Sequence, residues 1–142
     1  MPLLGEKERQ QVQEMFSESL AAPVRLVMFT QSVECEFCAE TRELVEEVAT
    51  LSDLVQAEIY DFVEDASLVE TLAIDKIPAI AVLGETDYGV RFYGIPSGYE
   101  FTTLIESIIH VSVADSGLSD DTREAVAQIA DPVHLQVFIT PT

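Results

Sequence analysis

The two cysteines of this 142-residue chain stand in one motif, Cys35-Glu36-Phe37-Cys38. Thiols at that spacing can form a staple, hold a metal or exchange with other disulfides. As a staple the pair is poor, because the chain-entropy gain grows with loop length, reaching only ~3 kcal/mol at ~15 residues. A structural zinc site wants four ligands, usually from two Cys or Cys/His pairs. Only His110 and His134 could join this pair, and both lie far off in sequence with structural explanations of their own: a helix end for His110, a strand for His134. No metal and no other cofactor is expected. Exchange remains. An N-terminal helix end carries about half a positive charge and favours a thiolate, the species that attacks a disulfide. Both Cys are expected on the first turn of a helix, side by side: Cys35, at the exposed end, is the expected nucleophile and Cys38, one turn inward, the expected resolving thiol. Glu34 and Glu36 oppose the helix end. A carboxylate at 4 Å costs a thiolate ~1 kcal/mol in water, against ~0.3–1 kcal/mol gained at the helix end. The sign of the balance is open. The reading is that Cys35 is less acidic than it would be beside Lys or Pro, so that the centre is relatively reducing.

The flanking segments are those that would position such a pair. Residues 5–20 carry Val12, Met15, Phe16 and Leu20 on one helical face, and Pro23 closes that helix. Residues 24–29 form a nearly continuous apolar run, as expected of a strand buried on both faces. Gln31 to Glu34 make a polar turn into the motif, and residues 36–51 resume a helical period with Leu44, Val45, Val48 and Leu51 inward. A strand over 55–62 and a short helix over 65–73 follow. Asp75 to Pro78 form a loop entering a strand that runs to Leu83, with Pro78 at the strand start, where its missing N–H is least harmful. A turn at Gly84–Gly89 leads to a hairpin partner at Val90–Tyr93. Phe101, Leu104, Ile105, Ile108 and Ile109 mark a strong helix. A linker at Ala114–Gly117, a helix over 120–130 capped by Ser119, and a strand over 132–140 complete the expected elements. The order α-β-α-β-α-β-β-α implies an α/β fold: a mixed four-stranded sheet, its first two strands parallel and its last two a hairpin, flanked by helices on both faces.

Composition narrows the function classes. Seven basic against 26 acidic residues leave a net charge of −19. That surface repels nucleic acid and anionic membranes, and neither is an expected partner. The charge suits solubility or a high-salt cytoplasm, two readings that the KCl dependence of stability separates. Apolar residues make up 48% of the chain, enough for a core but with no run near the ~20 residues of a membrane span. The N-terminus lacks the basic and apolar regions of a secretory signal, so a cytoplasmic location is expected.

With these residues in hand, the chain resembles the protein disulfide oxidoreductases of archaea and thermophilic bacteria, glutaredoxin-like proteins built from two tandem thioredoxin-fold units. It is also similar to the N-terminal region of the alkyl hydroperoxide reductase flavoprotein subunit. The stretches that carry the resemblance are Val27-Met28-Phe29, the Cys35–Cys38 motif, Ile74 to Ala79 and, most specifically, Gly89 to Phe101. The resemblance implies a thioredoxin/glutaredoxin-like fold with an extra N-terminal helix, and a redox pair of Cys35 and Cys38. It makes Pro78 a cis-proline facing that pair, with the Ile77 backbone exposed to a substrate strand. It also implies that residues 1–113 are a first unit and that 114–142 are a linker, a helix and the opening strand of a second, with Val137 to Thr142 resembling the strand that enters a second Cys motif. In such proteins the first unit's pair is often the less active. Thioredoxins place a buried acid on the strand before the motif. Phe29 lies near that place here, and Glu58 on the next strand is either a substitute proton acceptor or a surface residue.

The expected function is dithiol exchange with protein disulfides, with Glu34, Glu36 and Glu58 modulating it and a thioredoxin-reductase-like donor supplying electrons. A redox-inactive docking unit and an electron relay between a flavoprotein and a peroxidase are the alternatives. A homodimer through the C-terminal strand is a further expectation.

Overall fold

A computed structural model describes residues 2–140. The elements are α1 (Glu6–Ser19), β1 (Val24–Thr30), α2 (Cys38–Ala49), β2 (Val55–Asp61), α3 (Ala66–Thr71), β3 (Ala79–Leu83), β4 (Arg91–Tyr93), α4 (Tyr99–Val113) and α5 (Asp120–Ala127). The sheet order is β2-β1-β3-β4. β1 runs parallel to β2, from Val24 opposite Val55 to Thr30 opposite Asp61. β3 is antiparallel to both β1 and β4. This is the mixed, thioredoxin-like sheet that the element order implies.

The two-residue period of the strands sorts the core into two layers. Leu26 and Met28 of β1, with Ile80 and Val82 of β3, face α1, α2 and α4, where Phe16, Val45, Val48, Leu104 and Ile108 meet them. Val27, Phe29, Ala79 and Ala81 face the other way, towards Leu72 and Ile74 after α3. β1 is thus covered on both faces, which is why it reads as one apolar run. Ser112, buried in α4, donates to the Ala22 carbonyl at 2.6 Å and accepts from the Ala21 and Ala22 N–H groups at 3.0 Å, fastening α4 to the link before β1.

The N-terminal segment is tied down by one side chain. Glu47 of α2 accepts from the Leu3 N–H at 2.8 Å and from Arg9 of α1 at 2.5 Å. Burial pushes its carboxyl upward, but hydrogen bonds from the Leu3 backbone, Arg9 and the Leu4 backbone outweigh that and hold it below the usual range. A carboxyl lowered by folding contributes stability that is present above its unfolded value, ~4.3, and lost as pH falls through its folded value. Glu47→Gln is therefore expected to cost about 1–3 kcal/mol at neutral pH, and the gap from the parent to narrow as pH falls below the unfolded value of about 4.3. Urea titrations at pH 7 and pH 3.5 measure this; a gap of equal size at both would refute it.

The structure departs from the sequence reading at the C-terminal end. The helix expected over 120–130 ends at Ala127, although Ser119 does accept from the Thr122 N–H, as a cap should. The strand expected over 132–140 does not form: these residues carry no regular structure and are exposed. A strand exists only as half of a ladder, and no ladder among the described residues includes residues 132–139. His134, read as a strand residue, is exposed coil. Pro141 and Thr142, the end of the stretch read as entering a second Cys motif, lie outside the described residues. β4 is also shorter than expected, starting at Arg91, although the Val90 carbonyl still accepts from the Val82 N–H at 3.2 Å.

Candidate functional site

The site lies where β1 hands the chain to α2. Residues 31–37 make the turn, with the Gln31 side-chain amide donating to the Val33 carbonyl at 2.7 Å. Glu34 sits in the left-handed region at φ 55°. Helix α2 begins at Cys38, with Phe37 as its cap residue, so Cys35 precedes the helix and is not in its first turn as expected. Cys35 and Cys38 are joined in a disulfide with their Cα atoms 5.5 Å apart, within the usual disulfide span. Cys35 is half-buried, while Cys38 is 3% exposed. The outward and inward assignments made from sequence match this difference. One turn on, the fully buried Thr41 holds the motif from below. Its backbone N–H at 3.0 Å and its hydroxyl at 2.6 Å both donate to the Phe37 carbonyl.

Both cysteines open onto a groove of about 470 Å³ on the β2 side, between Thr30, Arg42, Tyr60 and Asp61. Arg42 is the one cation lining it among the described residues, and its Nε is engaged by Glu46 at 2.9 Å. Asp61 Oδ1 accepts from the Val63 and Glu64 N–H groups at 2.8 and 2.9 Å. Glu34 and Glu36 are exposed beside Cys35, and neither is in an ion pair among the described residues. Val33 and Phe37 present apolar surface at the same rim, 64% and 45% exposed.

On the opposite flank lies β3. Ala79 pairs with Phe29, so the preceding residue, Pro78, comes level with the end of β1, where the Cys turn departs. The Ile77-Pro78 peptide is cis. The Pro78 carbonyl accepts from the Gly94 N–H at 2.9 Å, and no hydrogen bond engages the Ile77 main chain among the described residues.

Glu58 does not join the site. It shares a strand face with Tyr60, and Arg25 binds it through two nitrogens, with Nη2 to Oε1 at 3.1 Å and Nε to Oε2 as the second bond. The Tyr60 hydroxyl donates to it at 2.8 Å. The Arg25 hydrogen bond, helped by Tyr60 against the cost of burial, keeps its carboxyl low. A carboxylate held in this way is a poor proton acceptor, and it does not line the groove. The carboxylate that does is Asp61, which sequence reasoning missed along with Arg42 and Tyr60. Arg42 was legible, since a residue four after Cys38 shares its helix face. Asp61 becomes visible only through the parallel register that sets it opposite Thr30. Among the described residues, no group of three or more His, Cys, Asp or Glu side chains could hold a metal ion. No helix among them is long and apolar enough to cross a membrane.

No family model matches the chain. Among solved structures it is similar to a protein disulfide oxidoreductase from Aeropyrum pernix, with 28% identity and a TM-score of 0.77 over 87% of this chain and 54% of that one. An N-terminal domain of alkylhydroperoxide reductase AhpF from Enterococcus faecalis matches at a TM-score of 0.75 and 24% identity, over 87% of this chain and 59% of that one, a likeness of fold. A Bacillus subtilis protein named NADH dehydrogenase is 27% identical over 119 residues, covering 82% of this chain and 21% of that protein. The chain thus spans about half the length of the two structures and about a fifth of the Bacillus protein. The resemblance read from the sequence motifs and the thioredoxin-like fold both stand.

Proposed function

We propose that this chain is a thiol–disulfide oxidoreductase unit that exchanges its Cys35/Cys38 pair with protein disulfides. One observation carries the reading: a half-exposed and a buried cysteine, already joined, at the start of a helix beside a cis-proline. In the reducing direction the Cys35 thiolate attacks one sulfur of a substrate disulfide. The Cys35–substrate S–S bond forms, the substrate S–S bond breaks, and the other substrate sulfur leaves as a thiolate that takes a proton from water. Cys38 then loses its proton and attacks the Cys35 sulfur. This closes the Cys35–Cys38 bond and expels the second substrate thiolate. Two electrons have passed to the substrate, and a reductase or a small dithiol returns them to the pair.

The Ile77 main chain, free beside Pro78, suits pairing with an extended substrate segment. Glu34 and Glu36 would weaken the Cys35 thiolate and make the pair more reducing. A pair that must be re-reduced in each cycle fits the reducing cytoplasm, with a thioredoxin-reductase-like protein as donor. Residues 1–113 form the exchange unit. Residues 114–142 are a linker, helix α5 and a further segment whose residues 132–139 would become a strand when paired with a second unit or a second copy of the chain. Val133, Leu135, Val137 and Ile139, all at least 62% exposed, would be its buried face.

Insulin reduction by dithiothreitol tests the reading. The parent chain should accelerate it and Cys35→Ser should run at the uncatalysed rate. Equal rates would favour an inert docking unit. A second reading draws on the identity shared with the protein named NADH dehydrogenase: the pair would relay electrons from a nicotinamide-dependent flavoprotein to a peroxidase.

A further inference from the structure

We infer that the site selects disulfides carried on basic protein segments, with Glu34, Glu36 and Asp61 as the specificity-determining carboxylates. The inference rests on the exchange reading and names its substrate class. It starts from the groove. A space of about 470 Å³ is lined by both cysteines and by Asp61, enough for a substrate residue or two beside the reacting bond. The only cation lining it among the described residues, Arg42, is offset by Glu46. Asp61 uses one oxygen, Oδ1, for the Val63 and Glu64 N–H groups. In the turn itself, exposed Glu34 and Glu36 flank Cys35 in sequence, without counter-ions among the described residues.

The rest of the molecule does not soften this field. Six of its seven basic side chains are already in ion pairs, against 26 acidic residues. Lys76, close to the cis-proline in sequence, lies over the Tyr93 ring and against Asp75. A substrate thus meets carboxylates next to the attacked bond and apolar surface from Val33 and Phe37 beyond them. Charge complementarity of this kind acts chiefly on encounter rate and on rejection of the wrong partner. A segment with Lys or Arg beside its disulfide gains on both counts, and one with Asp or Glu loses on both. The carboxylates that flank Cys35 thus act on the substrates that it attacks.

The test uses the reduced full chain and three synthetic peptide disulfides of equal length, flanked by Lys, by Ser or by Glu. The rate of Cys35–Cys38 oxidation is followed by stopped flow. At low salt the Lys peptide should react at least about tenfold faster than the Glu peptide, with the Ser peptide between them. The ratio should collapse towards one in 1 M KCl. It should also fall in a Glu34→Gln/Glu36→Gln double variant and, to a lesser degree, in Asp61→Asn, which keeps the oxygen that the Val63 and Glu64 N–H groups use. Because the readout is a ratio within one variant, a general change in thiol reactivity cancels. Equal rates on Lys and Glu peptides, with brisk exchange on the Ser peptide, overturn this inference and leave the exchange reading in place. No reaction with any of the three overturns both.

Discussion

Cys38→Ser is expected to stop the cycle at the mixed disulfide, and Cys35→Ser never to reach it. The argument rests on exposure and reach. Cys35 is half-buried at the mouth of the turn and can meet a substrate sulfur, whereas Cys38 is 3% exposed at the first position of α2 and can meet only Cys35. In the parent chain resolution is intramolecular, with the two Cα atoms held 5.5 Å apart. A neighbour positioned in this way outcompetes any external thiol at millimolar concentration, so removing it should slow release of the product by roughly 100-fold or more. Intact-mass spectrometry after mixing reduced protein with a peptide disulfide reads the result directly. Cys38→Ser should gain the mass of one peptide half, stable to dilution and released by dithiothreitol. Cys35→Ser should gain nothing, and the parent should lose two hydrogens and carry no peptide. An adduct on Cys35→Ser with none on Cys38→Ser would reverse the two roles.

The order of elements and the closeness of the two cysteines were legible because they depend on local pattern. A helical period over 36–51, an apolar run over 24–29 and a cysteine spacing of three residues survive without knowledge of what lies across the sheet. The geometry of the pair was legible in its outline only. Placing Cys35 in the first turn of α2 was one turn too early, since nothing in the Cys35–Cys38 stretch says that Phe37 is the cap. Glu58 shows the limit from the other side. Its strand position invited a role as proton acceptor, but whether a strand carboxylate is free depends on its neighbour across the ladder. Val27 sits directly opposite it, with Arg25 two residues earlier on the same face. Asp61 was missed for the same reason, since a residue at the end of β2 comes beside the Cys turn only through the parallel register. The C-terminal segment fails differently. Its alternation of Val133, Leu135, Val137 and Ile139 is a sound strand pattern, but pattern states what a segment would bury and not whether a partner is there.

That contrast makes Phe16→Ala the substitution with the largest expected effect on stability, and Val126→Ala its counterpart. Phe16 is 1% exposed, and it packs from α1 into the layer that includes Val12, Leu26, Val45 and Leu104. Removing a buried phenyl ring forfeits its transfer from water and leaves a cavity that a sheet flanked by three helices fills poorly, a loss of about 3–5 kcal/mol. For a domain whose whole stability is on the order of 5–15 kcal/mol, that is about a fifth of the total or more. Val126 sits on α5, which buries no residue, and is 52% exposed, so its truncation should stay within roughly ±0.5 kcal/mol. Urea unfolding at pH 7 measures both. A small effect at Phe16 would mean that α1 is dispensable and that the sheet closes without it. A loss of several kcal/mol at Val126 would mean that α5 and the segment after it are packed in solution against a surface that the described residues do not supply, which is the arrangement that a second unit or a second copy would provide. The Cys pair lies at the far end of β1 from the α1 junction, separated from it by the length of the strand. Phe16→Ala should therefore lower the unfolding midpoint while leaving exchange by the folded fraction unchanged.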